Sequence, residues 1–84
     1  MASRFQSKII KEYKSKGYKV LKLIRLNENG FPDLLLLKDG KAIFIESKEV
    51  DDTVKPLQER RIKELIELGF EAFTLQECQK KLIK

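Results

Sequence analysis

Hydrophobic and polar positions are arranged most clearly in the middle of the chain, where two apolar runs flank a short polar turn. The runs cover residues 34–37 and 42–45, and Asp39 and Gly40 lie between them. An Asp-Gly pair in this position favours a type I′ turn, because both central residues must adopt positive φ. The pattern therefore predicts an antiparallel hairpin whose second strand covers residues 41–48.

The second strand of this hairpin has two faces that are both mostly apolar, which is typical of a central strand covered on both sides. One face carries Ala42, Phe44, Glu46 and Lys48, and the other carries Ile43, Ile45 and Ser47. A buried carboxylate or ammonium is costly unless it is paired or binds a metal. Glu46 and Lys48 are therefore candidate functional residues.

The remaining periodicity predicts further elements on either side of the hairpin. Residues 3–16 form an amphipathic pattern that ends at Gly17, which indicates a helix. Residues 18–26 are apolar with a basic residue at every third position, and we expect a twisted or bulged strand at or near a sheet edge. Residues 56–68 predict a second helix, which begins at a proline and ends before a glycine.

The C-terminal part predicts a short strand over residues 70–73 and a final helix. Thr74 and Glu77 have the spacing of a capping box, so the helix is expected to start there and to run through Leu82. Cys78 is interpreted as a filler of the core or of an interface.

These elements follow one another in the order αβββαβα. The pattern indicates a single α/β domain over residues 1–84, with a mixed sheet flanked by helices. The connection from the third strand through the second long helix to the fourth strand would be its one βαβ crossover.

Charge and composition exclude several classes of protein. The chain of 84 residues has 18 Lys and Arg against 13 Asp and Glu, a net charge of +5, which favours a polyanionic partner. It has no histidine and one cysteine, which excludes histidine triads, histidine or thiol-rich metal sites and an intrachain disulfide. No apolar stretch has the length of a membrane span. We expect a cytoplasmic protein without membrane contact, and in a domain this small, oligomerisation would help stability.

Asp33 begins the first strand of the hairpin, and the hairpin brings it toward the end of the second strand, which carries Glu46 and Lys48. Two carboxylates at one point suit a hard cation such as Mg²⁺, which keeps several waters and binds substrate phosphate. The lysine can orient the attacking water or neutralise charge on a phosphoryl oxygen. This arrangement indicates phosphodiester hydrolysis. The alternative is a surface cross-strand pattern on an edge strand, with Asp33 merely starting a strand.

The spacing of these residues resembles a known nuclease signature. A Pro-Asp pair followed by Glu-x-Lys is similar to the motif of the PD-(D/E)XK nucleases, and the fuller pattern resembles the small VRR-NUC branch and archaeal-type Holliday-junction resolvases. The matching positions are Gly30, Phe31, Pro32, Asp33, Glu46, Ser47, Lys48 and Gln58. The resemblance covers residues 4–75 and implies a minimal restriction-endonuclease-like core.

The resemblance also implies roles for individual residues. Asp33 and Glu46 would bind Mg²⁺, for which Mn²⁺ can substitute, with the Ser47 carbonyl as a third ligand. Gln6 stands where the resolvase-like relatives place a metal-binding glutamate, so it would be a weaker, uncharged ligand or would support the site indirectly. Lys48 would position or activate the water. Gln58, on the inner half of its helix, would hydrogen-bond the carboxylates, the lysine or the water, or alternatively lie on the rim and bond to backbone.

The resemblance implies a Mg²⁺-dependent DNA endonuclease without a small-molecule cofactor. We expect a homodimer that cuts branched DNA, such as four-way junctions, inside a bacterial or phage-infected cell. One alternative is a nuclease-like fold that binds nucleic acid without turnover, which the uncharged Gln6 favours. Another is a nuclease for flap, nicked or linear duplex DNA.

Overall fold

A computed structural model of the protein describes residues 4–78, which form two helices and four strands in the order αβββαβ. The elements are α1 (Arg4–Ser15), β1 (Lys19–Lys22), β2 (Leu34–Lys38), β3 (Lys41–Lys48), α2 (Pro56–Glu67) and β4 (Glu71–Gln76). The predicted α/β class is confirmed. Neither helix in this range has the length and apolar character needed to cross a membrane.

The four strands form one mixed sheet in the order β1-β2-β3-β4. The first three strands are antiparallel to their neighbours, and β4 is parallel to β3. The chain crosses from β3 to β4 through α2, which is the predicted βαβ unit. β3 therefore lies inside the sheet, and β1 lies at an edge, as the sequence predicted.

The turn between β2 and β3 sets the register of the central hairpin. Asp39 has φ of 51° and Gly40 has φ of 77°, as a type I′ turn requires. The ladder runs from the pair Lys38 and Lys41 next to the turn to the pair Leu34 and Ile45 at its far end. Residues that precede Leu34 and follow Ile45 are thereby placed beside each other beyond the last ladder pair.

The core lies on the face of the sheet that α1 covers. Ile9 of α1 packs with Leu34, Leu36 and Ile45, and the three strand side chains are fully buried. Burying one such side chain contributes about 1.5–3 kcal/mol. Since side chains alternate along β3, Glu46 projects from the opposite face, where α2 lies.

β1 is shorter than predicted. The expected strand over residues 18–26 ends at Lys22, although the Leu23 N–H still donates to the Asp33 carbonyl at 2.9 Å. The physical reason is the partner strand: Pro32 has no N–H to continue the ladder, so the following residues of β1 have nothing to pair with.

The predicted start of the final helix is wrong. Residues Thr74 to Gln76 belong to β4, which pairs with β3 as far as Lys48 and Gln76. Parallel pairing with an interior strand outweighs the local capping-box pattern. Glu77 and Cys78 are not helical either, and residues 79–82 of the predicted helix lie outside the described residues. Cys78 is exposed, so it does not fill the core of a single chain, and its place in an interface stays a prediction.

Gly30 lies where the loop before β2 meets α2. Its φ is +79°, and a Cβ at this position would lie 2.6 Å from Leu57 Cγ and 3.2 Å from the Leu57 carbonyl carbon. Because the second contact is with helix backbone, a side-chain rotation of Leu57 cannot relieve it fully. The absence of a side chain at Gly30 therefore lets α2 pack directly against the loop that leads to Asp33.

We predict that Gly30→Ala destabilises the protein more than Gly40→Ala. The two glycines have nearly the same φ, +79° and +77°, but a Cβ at Gly40 would meet nothing within 4 Å. Both variants share the strain of positive φ. The difference between their free energies of unfolding therefore measures the clash with Leu57, which we expect to cost about 1–3 kcal/mol. Urea unfolding of both variants measures it, and equal losses would contradict the packing described for Gly30.

Candidate active site at the end of the central hairpin

Asp33 and Ser47 connect β2 to β3 just beyond the last ladder pair. The Ser47 N–H donates to Asp33 Oδ1 at 3.1 Å, and the Ser47 hydroxyl donates to Asp33 Oδ2 at 2.9 Å. Both carboxylate oxygens are thus held by one residue, and hydrogen bonds to a carboxylate are stronger than those between neutral groups. This pair of bonds fixes the Asp33 side chain next to the end of β3.

The backbone of Ser47 also faces this corner. In a strand, the N–H and carbonyl of one residue point toward the same neighbour, and those of the next residue point the other way. The Ser47 N–H points to Asp33, while the Lys48 carbonyl accepts from the Glu77 N–H at 2.8 Å on the β4 side. The Ser47 carbonyl is therefore directed to the Asp33 side, consistent with its predicted role as a ligand.

Glu46 is a buried carboxylate on the α2 face of β3, with 5% of its surface exposed. The Gln58 amide donates to Glu46 Oε2 at 3.2 Å, and Lys48 Nζ lies 3.5 Å from the same oxygen. Lys48 is itself only 8% exposed. Glu46 and Lys48 are thus both buried, as predicted from the pattern of β3, and they form an ion pair with each other.

The surroundings of Glu46 favour its neutral form. The pKa of this carboxyl is raised from 4.5 to about 7, first by burial and second by the negative charge of Asp33, and the positive charge of Lys48 offsets this rise only in part. The negative charge of Asp52, in the loop after β3, also raises the pKa of Glu46, but by a smaller amount. The pKa of Glu46 therefore lies near neutral pH, and perturbed values of this kind are common at functional sites.

Gln58 lies in the first turn of α2 and uses both ends of its carboxamide. Its oxygen accepts from the Lys55 N–H at 2.9 Å, which caps the helix, and its nitrogen donates to Glu46. The backbone bond fixes which end of the amide faces the carboxylate. The contact with Glu46 agrees with the inward orientation predicted from the helix pattern, and the bond to the Lys55 backbone is of the kind that the alternative predicted.

Gln6 reaches the site from α1 on the other face of the sheet. Its amide donates to the Ser47 hydroxyl at 3.3 Å, and that hydroxyl in turn donates to Asp33. Gln6 is therefore connected to Asp33 through one residue, as expected for a side chain in contact with the site.

The structure thus brings together every residue that the sequence singled out, namely Gln6, Asp33, Glu46, Ser47, Lys48 and Gln58. Their individual roles in binding and catalysis stay predictions. Residues 4–78 contain no group of three or more acidic or cysteine side chains that could hold a metal. The available donors are two carboxylates and neutral oxygens, a set that suits a hard cation that retains water. A bound cation would offset the mutual repulsion of Asp33 and Glu46, so the donor set fits a divalent metal.

Two contacts near the site were missed by the sequence interpretation. Gln76, at the end of β4, donates to the carbonyls of Glu49, Val50 and Asp52 at 3.1, 3.4 and 2.6 Å and so anchors the loop after β3. Arg61 of α2 donates to the Asn29 carbonyl at 3.0 Å and holds the loop before β2. Both act through contacts between distant segments, for which the sequence gives no local signal.

We predict that, without divalent cations, the free energy of unfolding decreases as pH rises from about 4.5 to about 7. In this window the unfolded chain has lost the Glu46 proton while the folded chain retains it, so raising the pH favours unfolding. The loss is on the order of 3 kcal/mol and is complete above the folded pKa. Since the chain has no histidine, no other side-chain type ordinarily titrates in the upper part of this window, between about pH 5.5 and 7.

Urea unfolding across this pH range in the presence of EDTA measures the effect, and Glu46→Gln is the matched control. The glutamine keeps an oxygen that can accept from Gln58 and Lys48 but cannot ionise. In this variant, the decrease of the free energy of unfolding with pH that is attributed to Glu46 should vanish. An unchanged slope would show that Glu46 is not the group that titrates.

Comparisons with known proteins agree with this geometry. The family model of the VRR-NUC domain, a nuclease domain, matches residues 3–78. A solved structure described as a VRR_NUC domain is 29% identical, with a TM-score of 0.74 over 84% of this chain and 78% of that chain. A 1.6 Å structure of Archaeoglobus fulgidus Hjc, a Holliday junction resolvase from an archaeal hyperthermophile, is 15% identical, with a TM-score of 0.72 over 94% of this chain and 69% of that one. That second likeness shows a shared fold.

A search of curated proteins gave no significant match. The family model nevertheless spans nearly all of the chain and includes every residue of the site. The chain belongs to the VRR-NUC domain family.

Proposed function

We propose that the protein is a metal-dependent endonuclease that hydrolyses phosphodiester bonds in DNA, with branched DNA as its substrate and a homodimer as its active form. The observation that carries this proposal is the buried Glu46 carboxylate, which lies beside Asp33 and shares one oxygen with Lys48 and Gln58. A stable fold has no need of a desolvated acid with a pKa near 7. A hydrolytic site that must bind a cation and a phosphate has a use for it.

Asp33, Glu46, the Ser47 carbonyl and the Gln6 carboxamide are the groups that would hold Mg²⁺ or Mn²⁺. When bound, the cation supplies Lewis-acid polarisation of the phosphoryl group and lowers the pKa of water. Glu46 must release its proton to serve as a ligand, and the position of its pKa near 7 makes that inexpensive at cellular pH.

Lys48 is the group that would contact the substrate. Its ammonium lies 3.5 Å from Glu46 Oε2 and is mostly shielded from solvent. In such surroundings, a positive charge stabilises negative charge that develops on a phosphoryl oxygen more strongly than it would in water. Lys48 can also hold the attacking water by a hydrogen bond, which orients it toward phosphorus.

Gln58 is a positioning residue in this proposal. Its contact with Lys55 fixes the direction of the amide, and its contact with Glu46 holds Oε2. Neither Gln58 nor Lys48 contacts the other oxygen, Oε1, in these bonds. Oε1 of Glu46 can therefore serve as the proposed metal ligand while Gln58 and Lys48 hold Oε2 in place.

Branched DNA as the substrate is supported by the shared fold with a Holliday junction resolvase. The small chain also offers little surface for reading base sequence, which favours recognition of DNA shape and backbone. The net charge of +5 is consistent with such a partner.

We predict that the purified protein cuts a labelled four-way junction in Mg²⁺ or Mn²⁺ and leaves it intact in EDTA. Lys48→Ala should lose at least about 100-fold in cleavage rate, since it removes the charge next to the scissile phosphate. Lys41→Ala, an exposed lysine at the other end of the same strand, is the matched control and should cut normally. Circular dichroism should show that both variants are folded.

The substrate panel should also include a flap, a nicked duplex, a linear duplex and single-stranded DNA. If one of these DNAs is cut in preference to the junction, that DNA is the substrate, and the proposal that the protein is a nuclease still holds. Binding of the junction without cutting under any metal condition would contradict catalysis and leave a nucleic-acid-binding module.

A homodimer is supported by the apolar surface that one chain leaves exposed. Large apolar side chains are accessible in two groups, one at the end of β1 and one between α2 and β4. They are Leu21, Ile24, Leu26, Ile66, Leu68 and Phe70. A second copy would remove part of this surface from water, and two opposed sites could cut two strands of one junction.

We predict a particle of twice the 9.8 kDa chain mass in size-exclusion chromatography with light scattering. The physical reason is that apolar surface is buried when two copies associate. The mass should stay the same in Lys48→Ala, which changes no exposed apolar residue. A mass equal to one chain at all concentrations tested would contradict the dimer.

A further inference from the structure

The charges of the protein are divided unequally between two parts of the chain. Residues 4–25, which form α1, β1 and the start of the following loop, contain eight Lys or Arg and one acid, a net charge of +7. Residues 49–77, which form the loop after β3, α2 and β4, contain four Lys or Arg and eight acids, a net charge of −4. The overall charge of +5 therefore conceals a strong asymmetry.

We call the first group the basic face. All of its cations are solvent-exposed: Arg4, Lys8, Lys11, Lys14, Lys16, Lys19, Lys22 and Arg25. Within the part of the chain that the structure describes, only Lys16 of this group has a carboxylate within ion-pair distance, Glu12 at 3.3 Å. The positive charge of the basic face is thus largely uncompensated by the protein itself.

The orientation of α1 determines which partner this face can bind. Its apolar side is already buried against the sheet, where Ile9 packs with the core. A basic amphipathic helix that binds membranes needs that apolar side for insertion. The cations at Arg4, Lys8 and Lys11 recur every three to four residues and therefore project from the opposite side. A polyanion bound from solvent fits this arrangement, and a lipid surface does not.

The basic face begins at the candidate active site. Gln6, in the first turn of α1, contacts Ser47, and the helix runs away from there. The ten steps from Arg4 to Lys14 span about 15 Å along the helix, which corresponds to about four base pairs of duplex DNA. A row of cations of this length can follow a backbone that leaves the site.

The edge strand β1 extends the same surface. Lys22 pairs with Leu34, the residue directly after Asp33. Arg25 lies in the loop that follows β1. Cations therefore flank the site from the helix and from the sheet edge. On the other side, the loop after β3 carries Asp52, whose negative charge acts on Glu46, so that side repels phosphate.

From these observations we propose that the basic face is the surface that binds the DNA backbone, and that the duplex leaves the active site over α1 and the β1 edge. This inference rests on the proposed function, because it takes DNA as the polyanion, but it is tested by binding alone.

The test compares two charge reversals of equal size. Lys8→Glu with Lys11→Glu changes the basic face, and Arg60→Glu with Lys63→Glu changes two exposed residues of α2. Both double variants lower the net charge by the same amount, and none of the four residues belongs to the site. Binding of a labelled four-way junction and of a linear duplex is followed by fluorescence anisotropy in EDTA, so that no cutting occurs, over a series of salt concentrations.

The basic-face variant should bind both DNAs at least about 10-fold more weakly near 0.1 M salt. The slope of log affinity against log salt should also fall in magnitude by about 2, because each lost phosphate contact releases one counterion fewer. The α2 variant should keep the slope of the unmodified protein. Thermal melts by circular dichroism establish that both variants are folded.

Equal losses in the two variants would show that net charge alone matters and would overturn the inference. Unchanged binding of both DNAs by the basic-face variant would overturn it too. If the unmodified protein binds DNA through the basic face but cuts no DNA in any metal, the proposed DNA-binding surface is supported and the nuclease proposal fails. If the unmodified protein cuts DNA and the basic-face variant binds and cuts equally well, the nuclease proposal is supported and the proposed DNA-binding surface is wrong.

Discussion

The two hydrogen bonds from Ser47 to Asp33 are the interaction on which the site depends. They lie where the β2–β3 ladder has ended, so they replace the backbone pairing that Pro32 prevents. Without them, the carboxylate before β2 would have no fixed position relative to the residues at the end of β3. The same bonds connect to α1, because Gln6 donates to the hydroxyl that holds Asp33. One corner of the sheet thus joins a strand, a loop and a helix.

On the opposite face, Glu46 shows that stability and function make different demands on a small domain. Replacing a buried ion pair with apolar residues of similar volume is often neutral or stabilising. The chain instead keeps an acid and a lysine in its thin interior and supports them with Gln58. Arg61 and the close packing at Gly30 then hold α2 against the loop that leads to Asp33. The two acids are consequently positioned by elements that also contact each other.

The parts of the fold that the sequence predicted are those that depend on neighbouring residues. The hairpin follows from Asp39, Gly40 and the alternation on either side, and its register places Asp33 opposite the Glu46 end. The inward position of Gln58 follows from the period of its helix. The early end of β1 and the extension of β4 through Gln76 depend on pairing between distant strands. The Thr74 capping-box spacing favours a helix locally, and no local pattern shows that an interior strand is available for pairing instead.

The short connection inside the central hairpin also has a consequence for the order of folding. Asp33 and Ser47 are 14 residues apart, whereas Gln6 and Ser47 are 41 residues apart. Loops that close over short separations cost less entropy and form faster than those that close over long ones. We expect the hairpin to bring both carboxylates together early, while they are still hydrated and separately charged. Gln58 of α2 is only 12 residues from Glu46, so α2 can bury this carboxylate at a similarly early stage. The contact of Gln6 with Ser47 closes the longest of these loops, so the support that α1 gives to Asp33 is acquired last.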